Sequence, residues 1–142
     1  MSGRLAALDV GDKRIGVALS DPLRLIAQPV GVVERKGARA DCSAILALLA
    51  EHKIEKVIVG LPLSFSGSEG EQADRVRHFA ERFHSETGLP VVYQDERLTT
   101  VQGERMLVQA GVRRDRRRRV VDKVAAALIL QAYLDSQPRE PL

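Results

Sequence analysis

The sequence predicts an α/β fold: a mixed five-stranded sheet, an antiparallel meander followed by parallel strands, with helices on both faces. Three observations carry this. Two apolar runs at the start of the chain, residues 4–10 and 14–20, are separated by only a short glycine-containing turn. From residue 41 onward, segments with apolar residues at helical spacing alternate with short β-branched runs. The chain has 142 residues, 44% of them hydrophobic, which is the size and apolar content of one sizeable core.

The first strand, residues 4–10, is apolar nearly to its end (Leu-Ala-Ala-Leu-Asp-Val), and the second covers residues 14–20. Gly11-Asp12 reads as a two-residue hairpin turn between them, with glycine supplying the positive φ such turns require. A third strand is expected over residues 29–34, Pro22 and Pro29 marking an irregular approach. Residues 41–51 read as a helix with Ile45, Leu48 and Leu49 on one face, and residues 56–59 as a short strand ended by Gly60 and Pro62. Residues 63–70 form a loop of small and polar residues. Ser68 and Glu71 have the spacing of a capping box for the next helix, which would bury Val76, Phe79, Ala80 and Phe83 and stop at Gly88. Residues 91–94 form the next strand. Thr99 and Gln102 make a second capping box, opening a helix to Ala110 that stops at Gly111, and the last helix spans about residues 120–134. Residues 1–138 are expected to form one domain and 139–142 a short tail.

Several function classes are disfavoured by composition. No apolar stretch approaches the ~20 residues that span a bilayer, and Asp9 falls where the apolar run of a signal peptide would be, so a cytoplasmic protein is expected. The one cysteine, Cys42, excludes an internal disulfide and a multi-cysteine zinc site, and it reads as a packing residue rather than a nucleophile. His52, His78 and His84 are scattered on polar stretches, so no Ser-His-Asp or Cys-His arrangement can be built; Tyr93 and Tyr133 read as core. With 4% aromatic residues and no tryptophan, base stacking on exposed rings is not the main binding mode.

The formal net charge of +3 hides an asymmetry. Residues 113–123 carry seven basic groups (Arg113, Arg114, Arg116, Arg117, Arg118, Arg119 and Lys123) against Asp115 and Asp122, a net of +5, while the rest of the chain is slightly acidic. Like charges this dense repel unless solvated or met by an anion. A phosphate backbone is the obvious anion, because the planar guanidinium can give one phosphate two hydrogen bonds. A solvated loop in an arginine-rich chain explains the run equally well when it is taken alone.

Three carboxylate positions stand out. Asp9 interrupts an apolar strand, where its charge is costly without a partner, although capping of the hairpin amides would also explain it. Asp95 and Glu96 close the later strand and point to opposite faces, so at most one joins a given site from within it. Asp122 falls in the first turn of the expected last helix, where the dipole favours it, yet it shares a helical stripe with Ala125, Ala126, Ile129 and Tyr133, the buried face. With the first strand central and the strand ending at Asp95-Glu96 expected to run parallel beside it, Asp9, one of Asp95/Glu96 and Asp122 can converge beyond the carboxyl ends of the strands. Bare carboxylates ~4 Å apart repel by about 4 kcal/mol at an effective dielectric of 20, so the cluster needs cations. Hard oxygen donors without Cys or His favour Mg²⁺ or Mn²⁺, and two such ions ~3.5–4 Å apart would activate a water and stabilise the leaving oxygen of a phosphodiester.

The chain resembles the YqgF/RuvX family of small bacterial proteins with an RNase H-like fold, described as Holliday junction resolvases and pre-16S ribosomal RNA nucleases. The resemblance rests on four motifs in order, covering almost the whole chain: residues 8–18 (LDVGDKRIGVA), 59–63 (VGLPL) with 67–70 (GSEG), 95–100 (DERLTT), and 121–130 (VDKVAAALIL). It implies that Asp9, Glu96 and Asp122 are the catalytic, metal-binding set, which selects Glu96 over Asp95, that the ion is Mg²⁺ or Mn²⁺, and that Arg97 and the 60–70 loop border the site. Three departures stand out. The wider resolvase relatives tend to carry a further acid one turn beyond the Asp122 position, where this chain has Ala125-Ala126; position 12, often Thr in the family, is Asp; and Ser64-Phe65-Ser66 replaces a more polar, Asn-containing stretch.

The expected function is a metal-dependent nuclease hydrolysing phosphodiester bonds, in 5′-end processing of pre-16S rRNA, in Holliday junction resolution, or both. Lys13, Arg14 and Arg97 would lie near the scissile group, and Arg113–Arg119 with Lys123 would hold the backbone. Structured RNA and branched DNA are both open as partners, and so are monomer and homodimer, since paired cuts at a junction need two active sites. The rival expectation is a non-catalytic nucleic-acid-binding factor in ribosome maturation or transcription. An ATPase relative, suggested by the Asp-x-Gly hairpin, is disfavoured because 142 residues supply one lobe where such enzymes use two.

Overall fold

The computed structural model describes residues 3–62, 70–95 and 114–137, the stretch 114–123 by its backbone only. In chain order the elements are β1 (Arg4–Val10), β2 (Arg14–Ser20), β3 (Ala27–Glu34), α1 (Ala38–Leu49), β4 (Ile54–Leu61), α2 (Glu71–Thr87), β5 (Val91–Asp95) and α3 (Arg114–Ser136). The five strands form one sheet in the order β3-β2-β1-β4-β5. The β1–β2 and β2–β3 pairs are antiparallel and the β1–β4 and β4–β5 pairs parallel, the mixed sheet expected from the sequence.

Both faces are covered. On one, α1 and α2 bury Ile45, Leu49, Val76, Phe79 and Phe83 against Leu8, Val17 and Val59. On the other, α3 buries Ala126, Ile129, Leu130 and Tyr133 against Leu5, Ala7, Ala18 and Ile58. The α3 stripe therefore packs as its 3.6-residue period requires. Alternation along β1 assigns Ala6, Leu8 and Val10 to the α1–α2 face and Leu5, Ala7 and Asp9 to the α3 face.

Four details differ from the sequence expectation. First, the strand ending in Asp95 does not adjoin β1: β4 lies between, so the two strands are about 9.5 Å apart. Second, Gly11 donates its amide to the Arg14 carbonyl at 2.9 Å, so the hairpin tip is Asp12-Lys13 rather than Gly11-Asp12. Gly11 is not in the left-handed region; it is required there by close approach, since a Cβ would lie 2.8 Å from the Arg14 carbonyl oxygen. Third, α2 begins at Glu71 with Gly70 as N-cap and no side-chain cap, so Glu71 opens the helix instead of closing a capping box three residues in. Its other end is as expected, Gly88 at φ 76° donating to the His84 carbonyl at 2.8 Å. Fourth, α3 is already helical at Arg114, well before residue 120, so the arginine run is helix and Asp122 lies about two turns inside it. Arginine is a good helix former, and the helix that the downstream stripe anchors to the sheet extends back through the run. The expected helix at 99–110 and nearly all of the 63–70 loop lie outside the described residues.

The β2–β3 connection is held by Asp21, whose carboxylate accepts the Leu25 and Ile26 amides at 2.7 and 2.9 Å. The Ile26 amide bond holds that carboxyl below its ordinary range. Gln131 on α3 accepts from the Ala27 amide and donates to the Leu25 carbonyl, fastening the start of β3 to the carboxyl half of α3.

The α3 contact should respond to size changes in both directions. Truncation of the fully buried Ile129 to alanine is expected to cost about 2–5 kcal/mol, and Ala126→Leu, which overfills a site of small side chains, about 1–3 kcal/mol. Denaturant midpoints at unchanged m-value would measure both.

Candidate active site at the carboxyl end of the sheet

The hydrogen-bond register locates Asp9. It pairs with Gly16 on β2, and since Leu8 is level with Val59, the next residue of β4, Gly60, is level with Asp9. The half-buried carboxylate therefore stands on the α3 face with a glycine on each neighbouring strand. Neither neighbour projects a side chain into the space beside it, a clearance not apparent from sequence spacing alone. Asp95 is level with Leu61 and, by alternation from Val91 and Tyr93, falls on the α1–α2 face, opposite Asp9.

Position 122 is brought to the same end of the sheet. The Lys56 ammonium lies 5.2 Å above the Tyr133 ring, and Lys56 is level with Leu5, so Tyr133 sits near the amino end of β1. From there α3 runs back across the sheet. Eleven residues of helix span roughly 16 Å and the four residues from Leu5 to Asp9 roughly 13 Å, so a helix running along β1 is long enough to bring position 122 to about the level of Asp9. In helical phase it shares the sheet-facing stripe with Ala126 and Ile129, and positions 118 and 119 lie on that stripe one turn earlier. Positions 116 and 117 fall on the far side of the helix. The positions of the arginine run therefore surround the helix axis rather than share one face.

The hairpin carries the other expected cations. Lys13 is exposed at its tip. Arg14 is engaged by Glu34 at 3.0 Å. Asp12, whose role the sequence left open, pairs with Arg75 of α2 at 3.3 Å. Both partners of that pair are more than half exposed, so it contributes little to stability. Glu96, Arg97 and Arg113 lie outside the described residues, and nothing is described of the side chains of Arg114, Arg116–Arg119, Asp122 and Lys123.

Sequence reasoning missed a partly buried ion pair beneath the hairpin, its carboxylate buried and its guanidinium a quarter exposed. Asp41 is 1% exposed, accepts the Lys36 amide at 2.9 Å and meets Arg35 Nε at 3.3 Å. Arg35 also donates from Nη1 to the Gly11 carbonyl at 3.0 Å and lies 5.0 Å over the Phe79 ring. In the sequence Arg35 is a charge just past a strand and Asp41 an acid near a helix start, and neither carries a mark of burial.

The donor chemistry fits a hard divalent cation. Asp9 carries carboxylate oxygens, the donor type such an ion takes, Cys42 lies across the sheet in the α1–α2 core, and His84 is occupied by the Leu89 carbonyl at 2.7 Å. Among the described residues no three His, Cys, Asp or Glu side chains group together. No described helix is long and apolar enough to cross a membrane.

A mixed sheet of this order, with a carboxylate at the end of its central strand and a long helix across that face, defines an RNase H-like resolvase fold. The chain belongs to the RuvX family of Holliday junction resolvases, whose model matches residues 3–136. A Moorella thermoacetica protein named "Putative pre-16S rRNA nuclease" is 50% identical over 132 residues, covering 93% of this chain and 94% of that protein. A protein of the same name from Clostridioides difficile is 44% identical over 95% of this chain and 96% of its own. Among solved structures, Thermus thermophilus RuvC in complex with a Holliday junction substrate superposes with a TM-score of 0.55 at 19% identity, covering 94% of this chain and 96% of that one. The fowlpox virus Holliday junction resolvase also gives 0.55, at 13% identity over 94% and 99% of the two chains.

Burial pushes the Cys42 thiol up to about 11, so it is protonated at neutral pH and cannot serve as a nucleophile. Iodoacetamide at pH 8 should therefore leave the folded protein unmodified and label Cys42 only as fast as the chain unfolds; rapid labelling in native buffer would contradict this placement.

Proposed function

We propose that the protein is a nuclease that hydrolyses phosphodiester bonds with Mg²⁺ or Mn²⁺ held by Asp9, Glu96 and Asp122. Its substrates on this reading are the 5′ end of pre-16S rRNA, as the names of its relatives suggest, or a four-way DNA junction, as the family description suggests. The observation that carries the proposal is the half-buried Asp9 between two glycine-bearing strands, at the sheet end to which α3 carries position 122. Alternation along β5 supports Glu96 over Asp95, because Asp95 falls on the wrong face. A group after β5 can meet Asp9 only across β4, and at the level of Asp9 that strand carries Gly60, with no side chain in the way.

The bound ion would supply Lewis-acid stabilisation of the phosphoryl oxygens and a lowered pKa for an attacking water. The chain's own residues do the rest. The carboxylates hold the cation in place and neutralise its charge, while Lys13 at the hairpin tip and Arg97 bind phosphate oxygens next to the site. Arginines at 118 and 119, on the stripe shared with 122, lie nearest the scissile group. Arg113, Arg114, Arg116, Arg117 and Lys123 hold flanking backbone, and Arg14 contributes through its pairing with Glu34, which steadies the hairpin. Residues 1–138 act as one nuclease domain.

One observation favours a second reading, binding without catalysis. Where the wider resolvase relatives carry a further acid, Ala125 and Ala126 are 2% and 0% exposed and pack on the sheet side of α3, so that turn of the helix offers no carboxylate for a second ion.

A cleavage assay in Mn²⁺ on a pre-16S rRNA fragment and on a four-way junction separates these readings. Loss of a ligand removes several kcal/mol of charge stabilisation, so Asp9→Asn, Glu96→Gln and Asp122→Asn are each expected to slow cleavage at least about a hundredfold. Wild-type rates in the variants would refute the mechanism, and binding that survives without any cleavage would support the second reading. Affinity for either nucleic acid should fall with salt at a log–log slope of about −3.5 to −4.5, for about five neutralised phosphates. A flat response would remove the arginine run from the binding surface.

A further inference from the structure

We propose that Arg35 is a positioning residue for the active site, fixing the β1–β2 hairpin by the Gly11 carbonyl and thereby the placement of Asp9. The inference rests on the reading of Asp9 as a metal ligand and extends it to a residue on the opposite face of the sheet.

Asp9 lies two residues before Gly11, at the point where β1 leaves the sheet. The Gly11 peptide groups are held from both sides: the amide donates to the Arg14 carbonyl at 2.9 Å, and the carbonyl accepts from Arg35 Nη1 at 3.0 Å. The Arg35 backbone amide donates to the Lys13 carbonyl at 2.9 Å, so one residue grips the turn on each arm. The guanidinium is itself fixed, by Asp41 Oδ2 at 3.3 Å on Nε and by the Phe79 ring 5.0 Å beneath it. Asp41 is in turn fixed by the Lys36 amide. The end of β3, the hairpin, α1 and α2 thus converge on one planar cation.

Arginine suits this position where lysine would not. Two donors in a rigid fork reach a carbonyl and a carboxylate in different directions while the flat face rests on an aromatic ring. A lysine ammonium could keep the charge against Asp41 but would lose the fork and the stacking. Ligand placement tolerates only about 0.5 Å before function suffers, so a loosened turn beside Asp9 should be felt in metal binding before it is felt in folding.

The test uses the full chain and four variants: Arg35→Lys, the pair Arg35→Met with Asp41→Asn, which avoids leaving a buried carboxylate unpaired, Asp9→Asn, and Arg82→Ala as a control. Calorimetric titration with Mn²⁺ alone, hydrogen exchange of the hairpin amides, melting temperature, and kcat and KM for cleavage are read in each. Arg35→Lys is expected to melt close to the wild type, to bind Mn²⁺ about 10- to 100-fold more weakly, to exchange the residue 11–14 amides faster, and to lose kcat at unchanged KM. Arg82→Ala, which breaks the exposed pair with Glu86, should change none of these. Unchanged Mn²⁺ affinity and kcat in Arg35→Lys would overturn the positioning role, and this variant decides if the double variant fails to fold. If Asp9→Asn itself binds Mn²⁺ like the wild type, the metal reading of Asp9 is wrong and the positioning role falls with it. Mn²⁺ binding lost in Asp9→Asn but intact in the Arg35 variants overturns the positioning role alone.

Discussion

Double-sided burial of β1 is the constraint from which the rest follows. The strand is hydrogen-bonded on both edges, antiparallel to β2 and parallel to β4, and Leu5 to Leu8 are almost wholly inaccessible. A strand in that position has to be apolar, and this one is until Asp9. The charge is tolerable there because it lies where the strand emerges, half-buried, with Gly16 and Gly60 withholding side chains on either side. A carboxylate one residue pair deeper would face full desolvation under α3; one residue later it would point into the Phe79–Phe83 core. Its depth and its face are therefore both set by the register of the central strand.

The parts of the fold legible in the sequence are those governed by local periodicity. β1 and β2, the buried faces of α1 and α2, the Gly88 stop and the sheet-facing stripe of α3 all follow from alternation, a 3.6-residue repeat or a glycine with positive φ, and each is where its period puts it. Strand order is not a local property. Nothing within residues 91–95 says that β4 separates them from β1, so a site drawn from adjacent strand ends has the wrong spacing. The hairpin tip shifted by one residue for a related reason. Gly11 was credited with a backbone angle, whereas its lack of a Cβ serves a close contact with Arg14 that only the folded turn creates.

Tertiary interactions account for the remaining surprises. A run of like charges argues for loop on electrostatic grounds, yet the helical propensity of arginine and the anchoring of the downstream stripe carry α3 back through it. A helical run distributes its positions by phase, placing 118 and 119 on the stripe shared with 122 and putting 116 and 117 on the other side of the helix. The Arg35–Asp41 pair illustrates the complementary blindness. Buried ion pairs have no sequence period, and both residues look like surface charges until α1, α2 and the hairpin close around them.

The two faces of the sheet are built to different specifications, and the difference bears on chemistry. The α1–α2 face is filled by Phe79, Phe83 and branched aliphatics. The α3 face includes Ala7 and Ala18 on the sheet and Ala126 on the helix, beside the larger Leu5, Ile58, Ile129 and Leu130. Small residues on both sides let backbones approach, and helix-to-sheet distance follows the side chains at the contact. Aspartate has a short reach, so two aspartates on different elements can share one cation only if their backbones are close. A larger core on the α3 side would lift position 122 away from Asp9 however well the helix were oriented. The alanines of the 121–130 segment therefore do more than stand where a fourth acid is missing. On the proposed reading, Asp122 would need that close approach to share a cation with Asp9, and small side chains at the contact favour it.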